Sequence, residues 1–198
     1  MCPVALVGVE QVVSAKLLGI VLSQTLRFDI HVNGILKLCS QRIYLLKLLQ
    51  DKGLPCHLLN TVFDAIVLSK LRYAISVYHG FLSAELKGQL NAFLKRAFKY
   101  GFCTSVHTID VIAEKAARSL FAKMAGSQHC LHTLLPDIKP YSCRLRPKGH
   151  AYKLPECSRD LYNKLFVPRC LFRYTPCPRK KGATDFFPVT FTNIDGFS

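Results

Sequence analysis

Closely spaced carboxylates are the first residues to look for, because a two-metal catalytic centre needs acidic side chains that hold two cations about 4 Å apart. The chain has eight aspartates, and no two of them are adjacent. It also lacks a Gly-x-x-x-x-Gly-Lys loop that could cradle phosphates and a His-Glu-x-x-His zinc helix. The sequence therefore predicts no catalytic residues and no cofactor, and a chain that is not an enzyme by itself.

Cysteine and histidine side chains gather in one stretch of the second half of the chain. Its members are Cys130, His132, Cys143, His150 and Cys157. Zinc prefers these ligand types, but their spacings match no compact zinc module, and no Cys-x-x-Cys occurs. The nine cysteines are odd in number and scattered, which argues against a disulfide framework. We predict unpaired thiols and no metal site, with zinc as the alternative.

Positive charge is the dominant chemical feature of the chain. Lys and Arg number 27 against 12 Asp and Glu, which gives a formal net charge of +15. Such a chain repels itself unless a polyanion is bound. The sequence therefore favours RNA and DNA as partners, bound electrostatically rather than by sequence, and it gives no indication of oligomeric state.

A row of polar residues at helical spacing is the strongest candidate for a phosphate-contacting surface. Lys87, Asn91, Lys95 and Lys99 lie four residues apart, and Arg96 is adjacent. Cations placed in this way can follow a phosphate backbone and bind it through counterion release. The alternative is an ordinary solvated helix face. We predict Lys87, Lys95, Arg96 and Lys99 as phosphate contacts.

Two further short basic clusters occur nearer the C-terminus. The first comprises Arg144, Arg146 and Lys148, which we also predict to contact nucleic acid, and the second is Arg179-Lys180-Lys181. Such clusters serve as phosphate-contact or localisation patches, although any cationic loop has the same composition.

Three tyrosines could stack on bases, namely Tyr44, Tyr73 and Tyr78. Aromatic residues at helical spacing are more often part of a core, and we predict core positions for them.

Neither a membrane span nor a secretory signal is predicted. The most apolar stretch is interrupted by Asp64, Lys70 and Arg72, so no apolar run reaches the roughly 18–20 residues that a span needs. The segment 1–9 is apolar but has no basic start and no long apolar centre. We expect an intracellular chain, nuclear or cytoplasmic, with no membrane partner.

The pattern of elements predicts a mainly α fold with three parts. Residues 1–28 contain a short β-hairpin within 11–28, with a turn at Ser23-Gln24, that resembles the edge of a larger sheet. Residues 29–136 form a bundle of three to four helices. Residues 137–198 are basic and interrupted by prolines, which predicts an irregular extension partly docked on the helices.

Caps and breakers give the helix boundaries. Asp29 is predicted to cap a first helix that ends before Gly53-Leu54-Pro55, and a second runs from about Pro55 to Tyr78. A third begins at Ser83 and ends at Gly101, with Leu86, Leu90, Phe93 and Ala97 inward. A fourth, capped by Thr108, is predicted over 109–135 with a break at Gly126.

Taken in order, several segments resemble the thumb and C-terminal region of non-LTR (LINE-type) retrotransposon reverse transcriptases. Lys16-Leu17-Leu18-Gly19-Ile20 is similar to the Lys-x-Leu-Gly-Val hairpin that closes the palm of these enzymes. Leu71-Arg72-Tyr73-Ala74 and Gly80-Phe81 resemble the thumb helices that follow. The segments 131–136, 144–150 and 166–169 are similar to the tail that follows the thumb.

This resemblance implies a nucleic-acid-binding fragment that grips template and primer without the catalytic palm. The parent protein would be an RNA-directed DNA polymerase, whose aspartates we expect upstream of Met1. The chain departs from the family at Val77-Tyr78-His79, where related elements often have Trp. Two alternatives stay open: a nonfunctional transposon-derived relic, and a helical protein-interaction module.

Overall fold

The computed structural model describes residue 10 and residues 12–138, 150–156 and 159–174. As predicted, this part of the chain is mainly helical with a short hairpin near its N-terminus. The strands are β1 (Ser14–Leu17) and β2 (Ile20–Ser23). The helices are α1 (Asp29–Asp51), α2 (Cys56–Phe63), α3 (Ser69–Arg72), α4 (Ile75–Tyr78), α5 (Ala84–Lys99), α6 (Ile109–Met124), α7 (Asp160–Lys164) and α8 (Phe166–Tyr174).

The hairpin turns at Leu18-Gly19, and the turn predicted at Ser23-Gln24 is present but follows β2 instead of joining the two strands, since the Leu26 amide donates to the Ser23 carbonyl at 2.9 Å. β1 and β2 are antiparallel, with Leu17 opposite Ile20. The φ angles of Leu18 and Gly19 are +47° and +84°, and positive φ at both central residues matches the twist of a two-residue hairpin. The Tyr73 hydroxyl donates to the Leu18 carbonyl at 2.6 Å. This bond fastens the turn to the helical domain.

Helix α1 begins without the predicted cap. Asp29 is the first helical residue, and Phe28 takes the cap position with no side-chain hydrogen bond. The carboxylate of Asp29 still stabilises the helix through its N-terminal dipole. The helix ends at Asp51, and Gly53 follows with φ +83°, in agreement with the predicted stop. Leu38 and Leu49 of this helix are exposed, whereas His31 is buried.

The helix predicted from Pro55 to Tyr78 is interrupted. α2 continues through a π-helical segment, Asp64–Leu68, into α3, but the chain then bends at Ala74, whose φ is +52°. The bend takes the Leu71 carbonyl out of the helical ladder. The buried hydroxyl of Tyr78 donates to this carbonyl at 3.0 Å. The break is therefore stabilised by a side chain seven residues away, which helical periodicity does not reveal.

Helices α5 and α6 begin as predicted. The Ser83 hydroxyl accepts from the Leu86 amide at 3.2 Å, and the Thr108 hydroxyl accepts from the Val111 amide at 3.4 Å. The four residues predicted to face inward on α5 are all buried. α6 ends at Met124, close to the break predicted at Gly126, whereas the helical continuation predicted up to residue 135 is wrong, because that stretch contains only a 3-10 turn, His132–Leu134.

One hydrophobic core joins these helices. α1 packs on α2 and α5, while α6 packs on α3, α4, α5 and α8. Fully buried members from different helices include Leu46, Phe63, Leu71, Leu90, Phe93 and Ile109. Each such side chain contributes roughly 1.5–3 kcal/mol relative to exposure. α2 and the π-helical segment that continues it lie at the centre of this core, because Leu59, Val67 and Leu68 have no exposed surface.

The described part of the C-terminal extension docks on the helices, as expected. Cys170 and Leu171 of α8 are buried, and the Arg169 guanidinium donates to the Ser76 carbonyl at 2.8 Å. Arg169 passes directly over Gly80, where any side chain would collide with it and with the Lys164 carbonyl. Gly80 is therefore required for α8 to lie in this position.

Candidate nucleic-acid interface

Helix α5 divides its surface between the core and solvent. Its apolar side carries Leu86, Leu90, Phe93, Leu94 and Ala97, all of them buried. Lys95, Arg96 and Lys99 lie on the opposite side and are exposed. Ser83 and Gly101, with φ +78°, define the two ends of the helix. Local sequence signals alone thus place three cations on one solvent-facing surface, here called the α5 basic face.

Lys87 lies on the same row but has a different environment. Its Nζ atom is 2.8 Å from Oδ1 of Asp110 in the first turn of α6, and its side chain is 31% exposed. One turn later, the Asn91 side-chain oxygen accepts from the Ile109 amide at 2.8 Å. The N-terminal half of the predicted row therefore fastens α5 to α6.

Asp110 is the centre of a small polar network. Its Oδ1 atom also lies 2.9 Å from Nε2 of His79, which is buried. Burial alone would raise the pKa of Asp110, but the hydrogen bonds from Lys87 and His79 outweigh it and lower that pKa. Burial lowers the pKa of His79 despite its bond to Asp110. Because a carboxylate only accepts, a neutral His79 donates from Nε2.

The C-terminal half of the row is free of such partners. Within the described residues, Lys95, Arg96 and Lys99 have no ion pair and no side-chain hydrogen bond. Each long side chain is free to move its charge toward an external anion. Of the four cations that were predicted on this helix, Lys95, Arg96 and Lys99 therefore lie together on one exposed surface. The fourth, Lys87, is paired with Asp110.

A further cation lies near the end of α5 that sequence reasoning did not place there. Nζ of Lys47, on α1, is 3.9 Å from the centre of the Tyr100 ring, one residue beyond Lys99. The Gln50 side chain donates to the Tyr100 carbonyl at 3.4 Å, which holds the two helix ends together. Lys47 and Tyr100 are 53 positions apart in the chain, so no local pattern could have indicated their contact.

The remaining predicted site residues have different outcomes. Arg144, Arg146 and Lys148 lie outside the described residues, as do Cys143, Cys157 and the cluster 179–181. Among the residues that the structure does describe, no three Cys, His, Asp or Glu side chains are arranged to hold a metal ion. Cys130 is exposed and unpaired.

The three tyrosines considered for base stacking are divided between core and surface. Tyr78 is buried, in agreement with its predicted core position, whereas Tyr44 and Tyr73 are 62% and 52% exposed. The core prediction is therefore wrong for these two. Tyr73 is engaged at its hydroxyl by the hairpin turn. Tyr44, on the outer side of α1, has a free aromatic surface.

Over the described ranges, none of the helices combines the length and the apolar character that crossing a membrane requires. No family model matches this chain, and comparison with curated proteins and with solved structures also found no match.

Proposed function

We propose that this chain binds nucleic acid through phosphate contacts made by the α5 basic face. The observation that carries the proposal is the set of three exposed cations, Lys95, Arg96 and Lys99, without partners among the described residues, in a chain of net charge +15. Four residues of helix advance about 6 Å along the axis, so these charges repel one another at close range. A phosphate backbone relieves that repulsion and releases its own counterions.

The other polar side chains of α5 favour phosphate contact over base reading. Direct reading of adenine relies on an amide side chain that is free to form two hydrogen bonds. Asn91 is occupied by the Ile109 amide, and Gln89 donates to Glu85 at 3.4 Å. Both amide side chains of α5 are therefore engaged within the protein. The proposed binding is electrostatic and tolerant of sequence.

We further propose that the helical domain derives from the thumb of a LINE-type reverse transcriptase. The support is the ordered resemblance of the hairpin, the Leu-x-Tyr-Ala segment and the C-terminal segments described above. In that context the α5 basic face would hold a template–primer duplex while the polymerase chemistry resides in another part of the parent protein.

A charge-reversal pair tests the binding surface directly. The variant Lys95→Glu/Lys99→Glu is compared with Lys37→Glu/Lys52→Glu, which makes the same change in net charge at two exposed positions, one on α1 and one directly after its end. Binding to RNA–DNA hybrids of two unrelated sequences is measured by fluorescence anisotropy. At 0.1 M salt we expect roughly a tenfold loss for each phosphate contact removed, equal for both sequences and small in the control pair.

Two results would contradict the proposal. One is an equal loss in both charge-reversed pairs, which would mean that only the total charge of the chain matters. The other is a loss confined to one of the two hybrid sequences, which would indicate base reading rather than phosphate contact.

A further inference from the structure

A second basic surface lies between α6 and α8. It is an open cleft of about 410 Å³, lined by Asp110, Val111, Glu114, Lys115, Arg118 and Arg173. The volume lies within the range of small-molecule sites, roughly 300–1,000 Å³. None of its cations belongs to the α5 basic face.

A single carboxylate lies against two guanidinium groups at the edge of this cleft. Glu114 accepts through Oε1 from Nη2 of Arg118 at 3.4 Å, and its Oε2 lies 2.7 Å from Nε of Arg173. The Arg118 guanidinium carbon is also 5.8 Å from the centre of the Tyr174 ring. The two arginines come from different elements, yet the shared carboxylate holds them side by side.

Most donors of this arginine pair are unused. Each guanidinium has three nitrogen atoms; Glu114 accepts a hydrogen bond from one nitrogen of Arg118 and forms only an ion pair, without hydrogen-bond geometry, with one nitrogen of Arg173. The other four nitrogens have no acceptor among the residues that the structure describes. Guanidinium groups present fixed forks of donors that match the oxygens of a phosphate. The pair is therefore pre-oriented for a tetrahedral oxyanion.

The charge balance of the cleft also favours an anion. Lys115, Arg118 and Arg173 supply three positive charges against the negative charges of Glu114 and Asp110. Asp110 already holds Lys87 at 2.8 Å, which offsets its charge. Two positive charges therefore remain in excess. This number suits a phosphate group, which carries between one and two negative charges near neutral pH.

We propose that the α6–α8 cleft is a phosphate-binding site, in which Arg118 and Arg173 hold the phosphate oxygens and Lys115 supplies a third cation. The ligand is a phosphate group of a small molecule or of a nucleic-acid end. Glu114 is a positioning residue, since its carboxylate lies against both guanidinium groups.

Thermal unfolding of the full chain with inorganic phosphate tests the site. A ligand that binds only the folded state raises the unfolding temperature as its concentration passes its dissociation constant. With sodium chloride added to keep ionic strength constant, we expect phosphate to raise the Tm of the unmodified chain. We expect little or no rise in Arg118→Gln and an intermediate rise in Arg118→Lys, which keeps the charge but loses the fork.

Arg118 is the suitable position for the substitution. Its side chain is 74% exposed, and its ion pair with Glu114 joins two residues that are four positions apart on the same helix. Such a pair stabilises a fold by well under about 1 kcal/mol, so the variant should fold. Lys123→Gln, an exposed cation on the same helix outside the cleft, is the matched control. Equal phosphate-induced shifts in the unmodified chain and in Arg118→Gln would overturn the proposal.

A second set of probes identifies the source of the phosphate. AMP, a 5′-phosphorylated oligothymidylate and the same oligonucleotide without its 5′-phosphate are compared. A stronger Arg118-dependent response to AMP than to inorganic phosphate supports a nucleotide ligand. A response to the phosphorylated oligonucleotide that its unphosphorylated form lacks supports a strand end. If none of these probes gives a response that depends on Arg118, the proposed site is also overturned.

Discussion

Nζ of Lys87 lies 2.8 Å from Oδ1 of Asp110, and this contact divides a row of four evenly spaced polar residues into two halves. Lys87 and Asn91 join α5 to the start of α6, whereas Lys95 and Lys99 face solvent. The same helical periodicity therefore serves two purposes. The first half of the row stabilises the fold, and the second half is available to a ligand.

This division predicts different effects for two chemically identical substitutions. Lys87→Gln removes an ion pair that is partly shielded from water and should lower the free energy of unfolding by up to about 1 kcal/mol. Lys95→Gln removes no partner among the described residues and should leave stability unchanged within about 0.5 kcal/mol. Urea denaturation measures both effects, and binding of the same two variants to an RNA–DNA hybrid tests the contact with phosphate.

For binding, the order of the two variants is reversed. Lys95→Gln should weaken binding more than Lys87→Gln, because only Lys95 is free to contact phosphate. A greater loss of binding in Lys87→Gln, with the protein still folded, would place the interface on the α6 side of the row.

Asn91 should act as an interhelical cap. Its side-chain oxygen accepts from the Ile109 amide, which is among the first amides of α6 and has no partner within that helix. Asn91→Ala should destabilise the chain by about 1 kcal/mol, as the loss of a helix cap usually does. Asn91→Asp keeps the acceptor and should recover most of that loss in urea denaturation. Equal destabilisation in both variants would show that the hydrogen bond is not the source of the effect.

Local sequence signals were sufficient for α5 and for the start of α6, but not for the contacts between them. Ser83, Thr108 and Gly101 act within a few residues, so the caps and the inward side of α5 could be predicted. Asp110 meets Lys87 across 23 positions, and nothing in either helix specifies that approach. The interruption at Ala74 was not predicted for a similar reason. Tyr78 fits the helical spacing of apolar residues, and nothing in that spacing indicates that its hydroxyl donates to the Leu71 carbonyl.

The Tyr78 hydroxyl should therefore be worth a measurable amount of stability. Tyr78→Phe keeps the packed ring but leaves the Leu71 carbonyl buried without this donor. An unsatisfied buried acceptor costs roughly 1–3 kcal/mol. Differential scanning calorimetry should show a lower Tm for Tyr78→Phe than for Tyr44→Phe, the control on the exposed side of α1. Equal Tm values for the two variants would mean that another donor serves the Leu71 carbonyl.

Stability should fall as the solution becomes acidic. Burial lowers the pKa of both His31 and His79 from the ordinary value of 6.5. Below about pH 6.5 the unfolded chain takes up protons that the folded chain resists, so the free energy of unfolding decreases with decreasing pH. The lowered pKa of Asp110 acts in the same direction at still lower pH, where protonation removes its bonds to Lys87 and His79.

His31 offers the clearest test of this pH dependence. Its ring packs against Tyr78 at 5.1 Å between centroids, and no charged group faces it among the described hydrogen-bond and ion-pair partners. His31→Gln should be less stable at pH 7 but should lose less stability between pH 6.5 and pH 5 in urea denaturation. His57→Gln, at an exposed position of α2, is the control. An unchanged pH slope in His31→Gln would show that His31 does not contribute.

The salt dependence of binding tests the central proposal most directly. The association constant of the purified chain with an RNA–DNA hybrid is measured from 50 to 300 mM salt. Counterion release predicts a linear decrease of log K with log salt, with a slope of roughly −0.9 for each phosphate contacted, or about −3 for three contacts. The slope should become shallower by about 2 in Lys95→Gln/Lys99→Gln. Binding that does not change with salt, or an unchanged slope in the double variant, would contradict phosphate recognition by the α5 basic face.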